Sequence, residues 1–250
     1  LTQLGLSEGQ VGLLLTLMVI GMPVGVALGL TVLGFMFAFT ETPIASVALK
    51  MFTGIEKFEI MAIPFFILAG NFLTHGGVAR RMINFATAMV GHLRGGLGMS
   101  AVLACALFAA VSGSSPATVV AIGSILIPAM VKQGYPLRFG AGVVASAGGL
   151  GILIPPSIVM VMYSVTSNSS VGALFMAGFL PGLLIAFAMA VVNWRISGQR
   201  NYKSGQPRPP AREMLINTVK AIPALLLVLI ILIGIRFGVF TPTEASVVAV

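Results

Sequence analysis

Long apolar runs alternate with short basic loops along the whole chain. Residues 11–40, 95–131 and 139–194 carry no charged side chain, and shorter apolar stretches cover 60–74 and 221–235. A helix that crosses a bilayer needs about 20 such residues, so the pattern predicts several membrane helices. The loops add direction. Arg80, Arg81 and Arg94 form one basic loop, Lys132 and Arg138 a second, and Arg195, Arg200, Lys203, Arg208, Arg212 and Lys220 a third. Together they hold 11 of the 14 basic residues and one acid, Glu213. Basic loops stay on the cytoplasmic side, which places 41–59 and 237–250, where most of the other glutamates lie, outside.

This sidedness constrains the segments between the loops. Arg94 and Lys132 lie on one side, so 95–131 must enter the membrane and return. As one helix its 37 residues would be about 55 Å long, against a hydrocarbon core of about 30 Å. Ser112-Gly113-Ser114-Ser115-Pro116 supplies a break at the midpoint. Arg138 and Arg195 also share a side, so 139–194 crosses twice, as 139–165 and 171–193, with its outer turn at Thr166–Ser170. A further crossing runs over 221–240. Segment 11–37 carries Gly21, Gly25 and Gly29 with Pro23 between them. These suit either close helix packing in lipid or a flexible Pro-kinked helix, and the segment either spans once or folds into a short pair. Residues 41–59 read as an interfacial loop or short amphipathic helix, and 196–212 as a Pro/Gly-rich linker.

Composition narrows the class. Charged residues are 8% and hydrophobic ones 58%, against about 25% charged in soluble domains. The net charge of +8 is dispersed between apolar runs rather than gathered in a patch, so the expected partner is a lipid bilayer and not nucleic acid. A single cysteine, Cys105, excludes a disulfide framework. The start at Leu1 and the stop at Val250 inside an apolar pattern lead us to expect a fragment.

Two apolar segments carry unusual punctuation. One is Ser112–Thr118; the other is Gly148, Gly149 and Gly151 followed by Pro155, Pro156 and Ser157. In lipid, unwound backbone is tolerated only where protein or a watery cavity surrounds it. Such breaks free carbonyl oxygens, which suit an alkali cation, and expose helix N-termini, which favour an anion. The plainer alternatives are an outer-surface turn for the first and a Pro kink for the second. No enzyme chemistry competes. There is no Asp, every Glu lies outside the apolar segments, and His75 and His92 sit in the first basic loop. A Ser nucleophile there has no neighbouring base, and no Gly-Lys-Ser/Thr phosphate loop is present. A transporter with this sequence would draw on an ion gradient, and neutral oxygens suit sodium better than a proton.

Pro64–Gly70 (PFFILAG), Arg94–Ser100 (RGGLGMS), the SGSSPAT tip, Gly134–Ser157 and Phe240–Ser246 (FTPTEAS) together resemble the large membrane subunit of tripartite ATP-independent periplasmic (TRAP) transporters. The resemblance implies an all-α polytopic membrane protein, the first repeat of an inverted-repeat elevator transporter with a re-entrant helical hairpin and a broken transmembrane helix. Its parts would be N-terminal membrane helices with their loops (1–94), the hairpin (95–131), the broken helix and its successor (132–195), a basic cytoplasmic linker (196–220) and the first helix of a second half (221–250). It implies sodium held between Ser112, Gly113 and Ser115 on the tip and Gly149, Gly151, Ile152 and Pro155 in the break. Ser114 and Thr118 would face the substrate, an organic anion such as a C4-dicarboxylate or sialic acid. The implied partners are a small four-helix membrane subunit and a periplasmic substrate-binding protein, in the bacterial inner membrane. The competing expectations are a sodium-driven carboxylate symporter without a binding protein, and a membrane scaffold.

Overall fold

A computed structural model describes residues 8–39, 43–200, 202 and 209–250, and among these every regular element is helical. The chain packs as two units that divide between Glu56 and Lys57.

The first unit holds α1 (Glu8–Val19), α2 (Val24–Phe39) and α3 (Ile44–Ile55). Segment 11–37 therefore folds as a pair. Gly21 takes φ +91° at the turn, a conformation that side chains with a Cβ avoid, and Pro23 precedes the new helix. A Cβ at Gly25 or Gly29 would meet nothing within 4 Å, so the close-packing reading of those glycines is not used inside this unit. The near approach is made by Gly9, whose Cβ position lies 3.0 Å from the Phe35 ring. Of the alternatives for 41–59, a helix forms: α3 has a far more one-sided apolar pattern than α1 or α2. Glu41 and the Lys50 side chain lie outside the described residues.

In the second unit a 3-10 turn (Phe58–Met61) leads into α4 (Ala62–His75), followed by α5 (Val78–Val90), α6 (Gly96–Ser112), α7 (Ser115–Lys132) and α8 (Leu137–Gly148). A second 3-10 turn (Gly149–Ile152) and a non-helical stretch separate α8 from α9 (Ile158–Ser167). Then come α10 (Val171–Gln199), α11 (Ala211–Arg236) and α12 (Pro242–Val248). The helix α6 is the hub, apolar all round, as a helix enclosed on every side must be. Its Ala101, Ala104, Cys105 and Phe108 are fully buried, packed with Met82 and Ala86 of α5, Ile122 of α7 and Val144 of α8. Small residues dominate it because helices in lipid associate by close van der Waals contact. This packing places α4 and α5 with the hairpin and not with α1–α3.

Among the described residues four stretches are long and apolar enough to cross a membrane: Phe58–His75, α7, α10 and α11. The linker expected over 196–220 is helical at both ends, since α10 runs on to Gln199 and α11 starts at Ala211. Arg195–Gln199 contains no proline to stop a helix leaving the bilayer, whereas Pro209-Pro210 sets the start of α11. The middle of that linker, 201 and 203–208, lies outside the described residues.

Segments sorted by charge are also sorted in space. Lys57 Nζ donates to Val165 O (2.8 Å) and to Asn168 Oδ1 (2.7 Å), and Thr243 Oγ1 donates to Phe58 O (3.0 Å). These join three segments assigned to the outside. At the other end the Gly95 amide donates to Tyr202 O (3.3 Å), and the Tyr135, Phe139 and Tyr202 rings cluster with centroids 5.0–6.0 Å apart, Tyr135 and Phe139 stacked and Tyr202 tilted against both. These join the three basic loops. Lys57→Met removes two hydrogen bonds from a charged donor to the end of α9, and should lower stability by about 1–3 kcal/mol. A thermal unfolding series on detergent-solubilised protein measures it; an unchanged midpoint would mean that the outer clasp contributes nothing.

The helix α12, with Glu244 on its exposed side, opens with a capping box. Glu244 accepts from the Thr241 amide and hydroxyl (2.8 Å each), and Thr241 Oγ1 accepts from the Glu244 amide. The backbone bond first, then the hydroxyl, hold the Glu244 carboxyl below its ordinary 4.5. A carboxyl with a depressed native pKa stabilises the fold above its unfolded value, and that stability disappears as pH falls through the lowered native value. The protection factors of the amides over 242–248, taken against the intrinsic exchange rate at each pH, should therefore fall on acidification below about pH 4.5. Glu244→Gln should show lower protection at neutral pH and lose that acid dependence.

Candidate functional site

The tip between α6 and α7 sits in the gap between α8 and α9. Gly113 ends α6 in the left-handed region (φ +61°), its amide donating to Ala109 O at 2.9 Å. Ser114 then turns extended, and α7 starts at Ser115 with Pro116 in its first turn and no side-chain cap. Two glycines fit the tip to the gap. A Cβ on Gly113 would lie 2.6 Å from Pro156 O, and one on Gly151 would lie 2.8 Å from both Ser114 C and Ser115 N. One hydrogen bond crosses the joint, from the Ile158 amide to Gly113 O at 3.2 Å.

Around this joint lies a set of neutral oxygens. Thr118 Oγ1 donates to Ser114 O (2.8 Å), which leaves Ser112 Oγ to donate to Thr118 Oγ1 (3.0 Å). Ser157 Oγ donates to Ile152 O (2.9 Å) and accepts from the Met160 amide as the cap of α9. Ser112, Thr118 and Ser157 are buried. The buried Ser115 Oγ has no hydrogen-bond partner, and among the described residues no hydrogen bond reaches the carbonyls of Pro155 or Pro156. Buried polar atoms are rarely left unpaired, which makes the Ser115 hydroxyl a candidate ligand contact. Among the described residues no cluster of His, Cys, Asp or Glu could hold a metal. The helix ends supply the remaining electrostatics. The C-terminus of α6 and the segment after α8 bring carbonyl ends, while α7 and α9 bring amide ends. Such a meeting of partial charges can hold a small cation and an anion side by side.

Of the residues singled out from sequence, Ser112, Gly113, Ser114, Ser115, Thr118 and Gly151 come together here, and Pro155 is buried in the same gap. Two stand apart. A Cβ on Gly149 would meet nothing within 4 Å, and the Ile152 side chain is 40% exposed, so only its carbonyl takes part. Three further residues complete the joint: Pro156, Ser157 and Gly70 of α4, whose Cβ position lies 3.6 Å from Ser112. Ser157 was detectable as a serine heading an apolar helical run; Gly70 carries no local signal.

Long apolar helices and an interior of helix ends, small residues and hydroxyls define a multi-pass membrane protein. Residues 11–250 match the family described as "Tripartite ATP-independent periplasmic transporter, DctM component", and the chain belongs to that family, one of transport permeases and not of enzymes. It is 60% identical over 252 residues to the C4-dicarboxylate TRAP transporter large permease protein DctM of Rhodobacter capsulatus, covering 94% of this chain and 56% of the relative. To the protein of that name in Pseudomonas aeruginosa it is 54% identical, over 89% of this chain and 52% of the relative. To the sialic acid TRAP transporter large permease protein SiaM of Vibrio cholerae it is 39% identical, over 96% and 55%. The chain thus spans about half the length of the relatives it matches.

Proposed function

We propose that this chain is the first half of the membrane subunit of a sodium-coupled, binding-protein-dependent importer of organic anions, working by an elevator movement. In this reading α6 and α7 form a re-entrant hairpin, and α8 and α9 are two parts of one broken crossing. Sodium is held by the Ser115 hydroxyl together with carbonyl oxygens of the tip and of 151–156. The substrate's carboxylate lies nearer Ser114, Thr118 and the uncapped start of α7. The observation that carries the proposal is the orphan Ser115 Oγ at the joint between tip and gap. No carboxylate titrates at the joint, which favours sodium over a proton as the coupling ion. The names of the relatives favour a dicarboxylate over a sialic acid substrate, since relatives 60%, 54% and 50% identical are named C4-dicarboxylate permeases and one named for sialic acid is 39% identical. The same reading implies a small four-helix membrane subunit and a periplasmic binding protein as partners in the bacterial inner membrane.

The test is uptake by the full-length permease in proteoliposomes with its small subunit and binding protein, driven by an inward sodium gradient. Uptake of a C4-dicarboxylate should need both sodium and the binding protein. Sodium-driven uptake without the binding protein would support the simple symporter instead, and proton-driven uptake would remove the sodium site. Single cysteines at 113–115 should be labelled by a membrane-impermeant maleimide only in one transport state. Labelling in every state, as for a fixed outer loop, would mean that the hairpin is an ordinary surface turn.

A further inference from the structure

A groove of about 450 Å³ runs between α8 and α10 at the end that gathers the basic loops. Its wall is apolar along Val143, Ile185 and Met189, and it ends in Arg138 and Asn193. That size is in the range of ligand sites, and no part of it belongs to the joint described above. We propose that the groove binds an anionic phospholipid of the adjacent leaflet, with an acyl chain along the apolar wall and the phosphate on Arg138.

Two observations carry this. Arg138 heads α8 on a loop whose neighbours are basic, and Glu213 is the only acid in the three loops, so the charge there is uncompensated. Basic pockets between membrane helices on the cytoplasmic side suit lipid headgroups. Finally, Gly142 lines the groove, and a Cβ there would meet nothing within 4 Å, so the helix surface opens where an acyl chain would lie.

Trp194, the chain's single tryptophan, is half-exposed on the same turn of α10 as Asn193 and reports on the site. The full-length permease is reconstituted in phosphatidylcholine vesicles that contain a minority of brominated phosphatidylglycerol or brominated phosphatidylcholine. The fluorescence of Trp194 is isolated by subtracting a Trp194→Phe control. Quenching should favour phosphatidylglycerol by about five-fold, the factor matching about 1 kcal/mol per basic side chain at a membrane surface. Arg138→Gln should abolish that preference, and Gly142→Phe, which fills the groove, should reduce quenching by either lipid. Equal quenching by the two lipids in the parent, or an unchanged preference in Arg138→Gln, would overturn the proposal. Loss of the preference on adding inorganic phosphate would show a phosphate site in place of a lipid one. If Gly142→Phe does not fold, Arg138→Gln alone still decides.

Discussion

Ser115→Leu in the full-length permease should abolish sodium-dependent uptake while membrane insertion and solubilised yield stay unchanged. The side chain lies at the start of α7 with its Oγ buried and unpartnered, so its removal breaks no hydrogen bond within the fold. Leucine would put an apolar branch where a cation needs oxygen. Ser115→Ala is the milder and more informative variant, since it deletes the oxygen without filling the space. An oxygen contact to a charged group is worth about 1.5–3 kcal/mol, so sodium affinity should weaken by about ten- to a hundred-fold. Ser115→Thr, which keeps the hydroxyl, should restore much of it. The measurement is uptake rate against sodium concentration. A half-saturating concentration unchanged in Ser115→Ala would remove this residue from the cation site.

The second large effect concerns the fit of tip and gap. Gly151→Val should displace the hairpin, because its Cβ would come within 2.8 Å of backbone atoms of Ser114 and Ser115, which cannot rotate aside. Overpacking of this kind costs about 1–3 kcal/mol. Gly113→Ala faces the same crowding against Pro156 O and adds about 1–2 kcal/mol for a Cβ in the left-handed region. Both should lower the unfolding temperature and stop transport. Gly149→Ala is the control, two residues from Gly151 in the same 3-10 turn. Its φ is −58° and its Cβ has open space, so it should be tolerated. Thermal unfolding and uptake on the three variants separate the outcomes. Equal damage from Gly149→Ala would mean that the whole 3-10 turn, not the glycine contact, matters.

How much of this was legible in the sequence varies from element to element. In α5 the facing was readable, because Arg80 and Arg81 alternate with the buried Ala79, Met82, Ile83 and Ala86. In α6 it was not. That helix is apolar on every side, so nothing local says which residues meet α5, α7, α8 or α10. Gly149 and Gly151 look alike in sequence, yet one faces open space and the other the hairpin backbone. The difference of two residues rotates a helical position by about half a turn or more, and only packing decides which position points at the tip.

The sequence by itself determined the class of the protein, the loops that gather at each end, and the two places where helices end inside apolar runs. Charge is costly in lipid, and glycine and proline act locally, so both leave their mark without reference to any distant residue. The tertiary structure alone decided that the two breaks meet. The Ile158–Gly113 hydrogen bond, the approach of Gly70 to Ser112 and the Lys57 clasp on Asn168 each join residues more than 40 apart. Their partners are chosen by helix direction and rotation, which apolar helices with no preferred face do not record.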